Sequence, residues 1–141
     1  MKKQVILLLC IVFSLTYACK EETKQETSQM KMVLAIHDEV MPKTSEIGPL
    51  VAQLRKRVDS DTGTAEEKKA MEDLQDAHNN MMEWMRGFGD KFDHDEIMNG
   101  KELSAEKQAL LDIEEKEVKI VKEKINSSIA NAKKILNTVK N

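Results

Sequence analysis

The chain carries three long stretches of helical periodicity, separated by short polar breaks. In the first stretch, the positions that are expected to face the core recur at steps of three and four residues. This spacing is typical of one face of a helix with a seven-residue repeat. Pro42 and Pro49 interrupt this stretch, but the phase continues across both. We therefore predict one kinked helix that ends at the turn 60–63. Its predicted face consists of Val33, His37, Val40, Thr44, Ile47, Val51, Leu54 and Val58.

The second stretch opens with Thr64 and Glu67, whose three-residue spacing is typical of a capping box. We expect Gly87 and Gly89 to end this helix and residues 89–103 to form a long loop. Trp84 is placed beside the apolar face. That face consists of Met71, Leu74, His78, Met81, Met85 and Phe88.

The third helix is predicted to begin after Ser104 and to run to Lys140. No alternating pattern indicates a strand. The predicted fold is all-α, a three-helix up-down-up bundle with coiled-coil-like packing. The apolar face of the third helix is Leu111, Val118, Val121, Ile125, Ile129, Ala132, Leu136 and Val139.

An export signal precedes the helices. Lys2 and Lys3 are followed by the apolar run 5–15, whose eleven residues are too few to span a bilayer, and then by Ala18-Cys19. A small residue directly before a cysteine is typical of bacterial lipoprotein signals. We predict a signal peptide at 1–18 and a lipid on Cys19. Simple secretion, with cleavage after Ala18 and a free Cys19 thiol, is the alternative.

Residues 20–29 contain no apolar side chain, which predicts a flexible tether over 19–29 and a bundle domain over 30–141. The first residues of this tether, Lys20-Glu21-Glu22, resemble the short Lys-acidic-acidic export tag of lipoproteins in the Bacteroidota. The resemblance implies an outer-membrane anchor that faces the cell surface. The periplasmic leaflet stays open as the other location.

Cysteine and charge content narrow the possible chemistry. Cys10 would leave with the leader and Cys19 would carry lipid, so the mature domain would have no disulfide, thiolate metal site or cysteine nucleophile. Loss of Lys2 and Lys3 lowers the basic count from 22 to 20 against 25 acidic residues, which moves the net charge from −3 to −5. An acidic chain is poorly suited to nucleic acid, so we expect no such partner.

Three segments resemble a group of small lipoproteins of the Bacteroidota labelled "viral A-type inclusion protein". The segments are HDEVMPK at 37–43, MMEWM at 81–85 and INSSI at 125–129. The resemblance implies an envelope-anchored helical protein, and the label implies no viral role. No activity is assigned to the group, so none is implied for this chain.

Histidine and methionine supply the most specific candidate chemistry. His37 and Met41 lie four residues apart and so share a helix face. A hairpin centred near residues 62 and 63 places His37 level with Phe88 and Met41 level with Trp84. We take His37, Met41, Met81 and Met85 as the candidate metal ligands.

Imidazole and thioether ligands suit Cu(I), so copper or haem binding is the alternative function. The simpler interpretation is a core filled by flexible methionines and a hydrogen-bonded histidine, with no cofactor. His78 and Met82 form a second pair four residues apart, but His78 is predicted level with Ile47 and therefore far from His37.

Catalytic motifs are absent: the chain has no zinc-protease helix motif, phosphate-binding glycine loop or nucleophile elbow, so we expect no enzyme. The acidic residues of the predicted loop, Asp90, Asp93, Asp95 and Glu96, depart from the calcium-loop spacing and are interpreted as solvated. The run 114–117 in the third helix is interpreted in the same way.

The leading hypothesis is an envelope-anchored, non-enzymatic binding or scaffold module. The third helix is expected to outlast the second by a turn or more. Its last apolar residues could then pair with a partner helix or a second copy, unless the first helix covers them. These residues are Ile135, Leu136 and Val139.

Overall fold

The computed structural model describes residues 28–60 and 62–138. The predicted signal peptide 1–18, the predicted lipidation site Cys19, the tether up to residue 27 and Val139 lie outside these residues. Within the described ranges the backbone is helical apart from short turns and contains no strand. No helix there is long and apolar enough to cross a membrane.

The described residues form three long arms. The first arm comprises α1 (28–40), a 3-10 segment (Met41–Glu46) and α2 (Ile47–Val58). The second is α3 (Ala65–Lys91), followed by the short helix α4 (His94–Met98), and the third is α5 (Ala105–Thr138). The prediction of an all-α, three-helix up-down-up bundle is therefore confirmed.

Two prolines explain the change of helix type in the first arm. Pro42 lies at the start of the 3-10 segment, and Pro49 lies in the first turn of α2, where a missing amide removes no intrahelical bond. Within the 3-10 segment, Thr44 Oγ1 donates to the Met41 carbonyl at 2.7 Å. The predicted kink is thus a six-residue tightening of the helix.

The first arm runs parallel to α5 with a nearly constant offset. Lys122 Nζ donates to Glu39 Oε2 at 2.7 Å, and Lys43 Nζ donates to Asn126 Oδ1 at 2.9 Å, both across 83 positions. Gln29 Nε2 donates to Asp112 at 2.9 Å with the same offset. Ser28 and Gln29, which were predicted to belong to the tether, are therefore helical residues of α1.

α3 turns a different face to the core from the predicted one. Ala70 and Ala77 are buried at the centre of the face, whereas Met71 and His78 lie half-buried at its flank and Met85 is exposed. The prediction favoured the larger side chains, but small alanines are what allow neighbouring helices to approach closely. The buried residues of α3 are Glu67, Ala70, Leu74, Ala77, Met81, Trp84 and Phe88.

The second helix also continues past its predicted end. Gly87 and Gly89 lie within α3, which stops at Lys91. Each glycine costs a helix about 1 kcal/mol relative to alanine. Burial of Phe88, which lies between the two glycines and is 5% exposed, offsets that cost. The predicted loop 89–103 therefore contains the last residues of α3 and all of α4.

The bundle has two chemically distinct ends. The far end, where α2 ends, α3 begins and α5 ends, is held by Arg57. Its Nη1 lies 3.3 Å from Glu67 Oε1, and its Nη2 donates to the Leu136 carbonyl at 2.8 Å. The near end, where α1 begins, carries α4 and the start of α5. There Lys107 Nζ lies 2.5 Å from Glu96 Oε2.

Candidate functional site

His37 and Trp84 meet at the seam between α1 and α3. Their rings stack with centroids 5.9 Å apart. His37 Nδ1 lies 2.9 Å from Asp38 Oδ1, while His37 Nε2 and Trp84 Nε1 are buried without a hydrogen-bond partner. Because a carboxylate only accepts, Nδ1 of a neutral His37 carries the proton and Nε2 keeps its lone pair. The seam therefore holds one unused acceptor beside one unused donor.

The aromatic stack continues along α3 towards the near end. Trp84 and Phe88 have centroids 5.1 Å apart, and Phe88 and Phe92 have centroids 4.9 Å apart. The large rings fill the core at this level, and Trp84 itself is only 9% exposed. His37 thus closes the open end of a row of packed rings, with 20% of its side chain exposed.

The four candidate ligands lie at different depths in the bundle. Met81 is fully buried, one turn before Trp84, and Met85 follows Trp84 directly and is 36% exposed. Met41, four residues after His37, is half-buried and packed on the core. The predicted register is shifted by about one turn, since His37 lies against Trp84 and not level with Phe88.

The other residues that were predicted to form sites have different outcomes. Cys19 lies outside the described residues. Within the described residues, no three His, Cys, Asp or Glu side chains come together as a metal site. The acidic loop residues have structural partners: Asp93 caps α4 and accepts from Lys101 at 2.6 Å, and Asp95 Oδ1 accepts from Asn99 at 2.7 Å.

Two carboxylates that were expected in solvent are buried. Glu114, assigned to a solvated face, is 3% exposed and lies 2.5 Å from Lys91 Nζ. Glu96, assigned to a solvated loop, is 5% exposed and closes the capping box of α4 with Asp93. Sequence spacing held the signal for both, because Glu114 follows Leu111 by three residues and Asp93 precedes Glu96 by three.

Local amides and cations lower the pKa of both capping-box glutamates. The Thr64 backbone amide, followed by the Arg57 guanidinium, holds the pKa of Glu67 below its ordinary value despite burial. Burial alone would raise the pKa of Glu96. The Lys107 ammonium and the Asp93 amide outweigh this effect and lower that pKa as well.

A polar groove of about 730 Å³ runs between α3 and α5. Its charged side chains are the carboxylates of Asp73, Asp76 and Glu83 and the ammonium of Lys124. Asp73 also binds Lys69 on α3 at 2.8 Å. The remaining lining residues are small or amide side chains: Ala77, Asn79, Asn80, Ser127, Ser128 and Asn131.

An exposed apolar pair lies in line with this groove on α5. Ile113 and Ile120 are 51% and 48% exposed. They are seven residues apart, and Ser127 of the groove follows after another seven, so all three share one face of α5. We call this surface, formed by Ile113, Ile120 and the groove-lining residues, the α3–α5 face.

The end of α5 is not a free apolar surface within the described residues. Ile135 and Leu136, which were expected to be available for self-association, are 6% and 8% exposed. The first arm covers them, and Arg57 binds both of their carbonyls. The alternative stated with that expectation, cover by the first arm, is the arrangement found.

A smaller cavity of about 150 Å³ lies at the near end, between the start of α1 and the α4 segment. Its walls include Met30, Leu34, Ile97 and Met98. Neither this cavity nor the groove is lined by His37, Met41, Met81 or Met85.

Comparison of the chain with family models, with curated proteins and with solved structures gave no match.

Proposed function

We propose that this chain is an envelope-anchored helical lipoprotein that acts without catalysis as a docking module. Its α3–α5 face receives a helix of another protein. The observation that carries the proposal is the exposure of Ile113 and Ile120, 51% and 48%, at a seven-residue spacing beside an open groove. A three-helix bundle that gains a fourth helix there becomes a four-helix bundle.

The chemistry of the face defines the partner helix. Two isoleucines one heptad apart match an apolar stripe at the same repeat. The groove beside them has three carboxylates, Asp73, Asp76 and Glu83, against the single ammonium of Lys124. Lysine or arginine on the partner helix would complement that charge and set its direction.

The anchor supports the same function. Cys19 lies nine residues before the first described residue, a stretch that reaches at most about 30 Å. A lipid on Cys19 would therefore keep the near end close to the bilayer. The anchor itself is tested by feeding cells an alkyne-labelled palmitate. We expect label on the chain and none on the Cys19→Ser variant, and equal labelling of both would contradict lipidation.

The leaflet is tested with proteinase applied to intact cells that carry the anchored chain. An outer-membrane lipoprotein on the cell surface would be cleaved without lysis. Cleavage only after the outer membrane is permeabilised would contradict surface exposure and place the domain in the periplasm.

The docking function is tested by a photo-crosslinking residue placed at Ile120 of the chain in its own cells. We expect one discrete adduct with another protein. The matched control position is Met32, which is 44% exposed on α1. The double variant Ile113→Lys with Glu83→Lys should abolish the adduct, because it removes an apolar contact and replaces a groove carboxylate by a cation that repels a basic partner helix. No adduct, identical adducts at both positions, or an adduct of two copies of this chain would each overturn the proposal.

A further inference from the structure

The seam between α1 and α3 contains a polar arrangement that the docking function does not use. His37 Nε2 is buried with no hydrogen-bond partner, and so is Trp84 Nε1 beside it. A buried polar atom without a partner is destabilising. The indole N–H of Trp84 only donates and cannot bind a cation, whereas the lone pair of His37 Nε2 is free to bind one. We propose that the seam binds one Cu(I) ion, with His37 Nε2 and the thioethers of Met41, Met81 and Met85 as its ligands.

Asp38 prepares the histidine for a metal. The 2.9 Å contact between His37 Nδ1 and Asp38 Oδ1 directs the ring proton to Nδ1 and leaves the Nε2 lone pair free. A carboxylate on the second nitrogen of a ligating histidine fixes its tautomer and raises the basicity of the first. Asp38 is therefore a positioning residue for the ion.

The sulfur atoms determine which ion fits. Met41 lies one turn after His37 on the first arm, and Met81 and Met85 lie one turn apart on α3, on either side of Trp84. Thioethers are soft, uncharged ligands that favour Cu(I) over Zn²⁺ or Ca²⁺. Binding requires no change in oxidation state and no thiol.

Burial and access are both provided by this seam. Met81 is fully buried and Trp84 is 9% exposed, so the ion would be shielded from water on the core side. Met85 is 36% exposed, so this thioether is accessible to an ion from solvent. A cation at this level would also lie beside the indole ring of Trp84, whose face attracts positive charge.

The test uses the full chain in detergent with Cys10→Ser and Cys19→Ser, so that no thiol competes for copper. Cu(I) is supplied anaerobically from a chelator of known affinity, and the emission of Trp84, the only tryptophan, reports occupancy. We expect one ion per chain, a Kd below about 1 µM and quenched emission. Zn²⁺ at the same concentration should leave the emission unchanged.

Variants separate the site from general methionine binding. Met85→Leu should weaken the Kd about 10-fold or more, and Asp38→Asn should weaken it about 10-fold through His37. Met82→Leu is the matched control, since Met82 is also 36% exposed on α3 but is not a proposed ligand. It should change the Kd less than about 3-fold. His37→Gln should weaken binding most, with circular dichroism showing that the helices remain.

Three outcomes overturn the proposal: no binding tighter than about 1 µM, equal effects of the Met85 and Met82 variants, or binding that survives His37→Gln. Absence of binding would assign the two unpaired atoms to a buried water that accepts from Trp84 and donates to His37. Because Met82 and Met85 are both exposed, their comparison stays informative even where the His37 variant is unstable. The docking face and the proposed metal site use different side chains and are tested by different measurements, so the two proposals fail independently.

Discussion

The two ends of the bundle use the same local motif but connect it differently to the rest of the molecule. Thr64 with Glu67 at the far end, and Asp93 with Glu96 at the near end, each form a capping box with a buried glutamate. At the far end the glutamate is joined by Arg57, and at the near end the partner is a lysine. The motif starts a helix in both places, but the cation decides how many arms are tied together.

Arginine ties three arms because its fork has several donors in fixed directions. Arg57 extends from the end of α2, contacts Glu67 of α3 and donates to the carbonyls of Ile135 and Leu136 in the last turns of α5. Lys107 connects only α5 with α4. The ammonium of Lys107 makes one contact on a flexible side chain, whereas the guanidinium of Arg57 connects all three arms at the far end.

Removal of the two cations should give the largest difference in unfolding free energy between the two ends. Arg57→Ala is expected to lower the free energy of unfolding by about 3 kcal/mol, because Glu67 is left buried and the α5 carbonyls lose a donor. Lys107→Ala should cost only about 1 kcal/mol, since the five-residue α4 can open locally and expose Glu96 to water.

Urea unfolding followed by circular dichroism measures both losses. The control is Lys69→Ala, which removes an exposed ion pair with Asp73 and should cost less than about 0.5 kcal/mol. Equal losses for the Arg57 and Lys107 variants would mean that the fork contributes nothing beyond its charge.

Acid should weaken both ends, and the far end should dominate the global change. The pKa values of Glu67 and Glu96 are lowered in the folded chain. Their stabilisation is therefore present above the unfolded pKa of about 4.3 and is lost as pH falls through the folded values. Glu67→Gln should flatten the acid decline of unfolding free energy, and Glu96→Gln should flatten it less. Parallel acid curves for wild type and Glu67→Gln would contradict this.

Removal of the N-cap side chains tests the shared part of the two ends. Thr64→Ala should cost about 1 kcal/mol, as is usual for a lost cap at the start of a long helix. Asp93→Ala removes the same kind of cap but affects only α4 and the contact to Lys101. We expect its effect on global unfolding to be smaller and its effect on amide hydrogen exchange in α4 to be larger. The opposite ranking would show that α4 unfolds together with the bundle.

The smallest change in unfolding free energy is expected for Glu114, a buried carboxylate that is not part of a helix cap. Glu114 lies in the inward face of α5 and pairs with Lys91, whose side chain is 40% exposed. Glu114→Met should change the unfolding free energy by less than about 1 kcal/mol, because a packed apolar side chain replaces a desolvated pair. Glu114→Ala, measured in the same urea titration, should cost more because it leaves a cavity.

Periodicity alone predicts the three arms, because apolar steps of three and four residues persist through each of them. The Thr64 capping box was predicted from its spacing and is present. The far-end closure was not predicted, since the contact of Arg57 with the α5 carbonyls spans 78 and 79 positions and has no local pattern. Long-range hydrogen bonds to backbone atoms depend on where helices end, and helix ends are poorly predicted from a single sequence.

The candidate site shows where inference from periodicity fails. His37 and Met41 lie four residues apart in the first arm. The predicted register places His37 level with Phe88, whereas its ring stacks on Trp84 one turn earlier. The predicted inward face of α3 was also wrong, because Ala70 and Ala77 are buried whereas Met71 and His78 are only half-buried. Close approach of two helices favours small residues at their contact, whereas prediction from hydrophobic patterns favours large residues.

The offset of 83 positions between the first arm and α5 has a consequence for the order of folding. Each of the two hairpins, α2 with α3 and α3 with α5, joins neighbours in the chain, but the seam of the first arm with α5 closes a loop of most of the domain. Loop closure makes such contacts late, so they should be largely absent at the rate-limiting barrier. Loss of the Glu39–Lys122 contact should then speed unfolding while leaving the folding rate nearly unchanged.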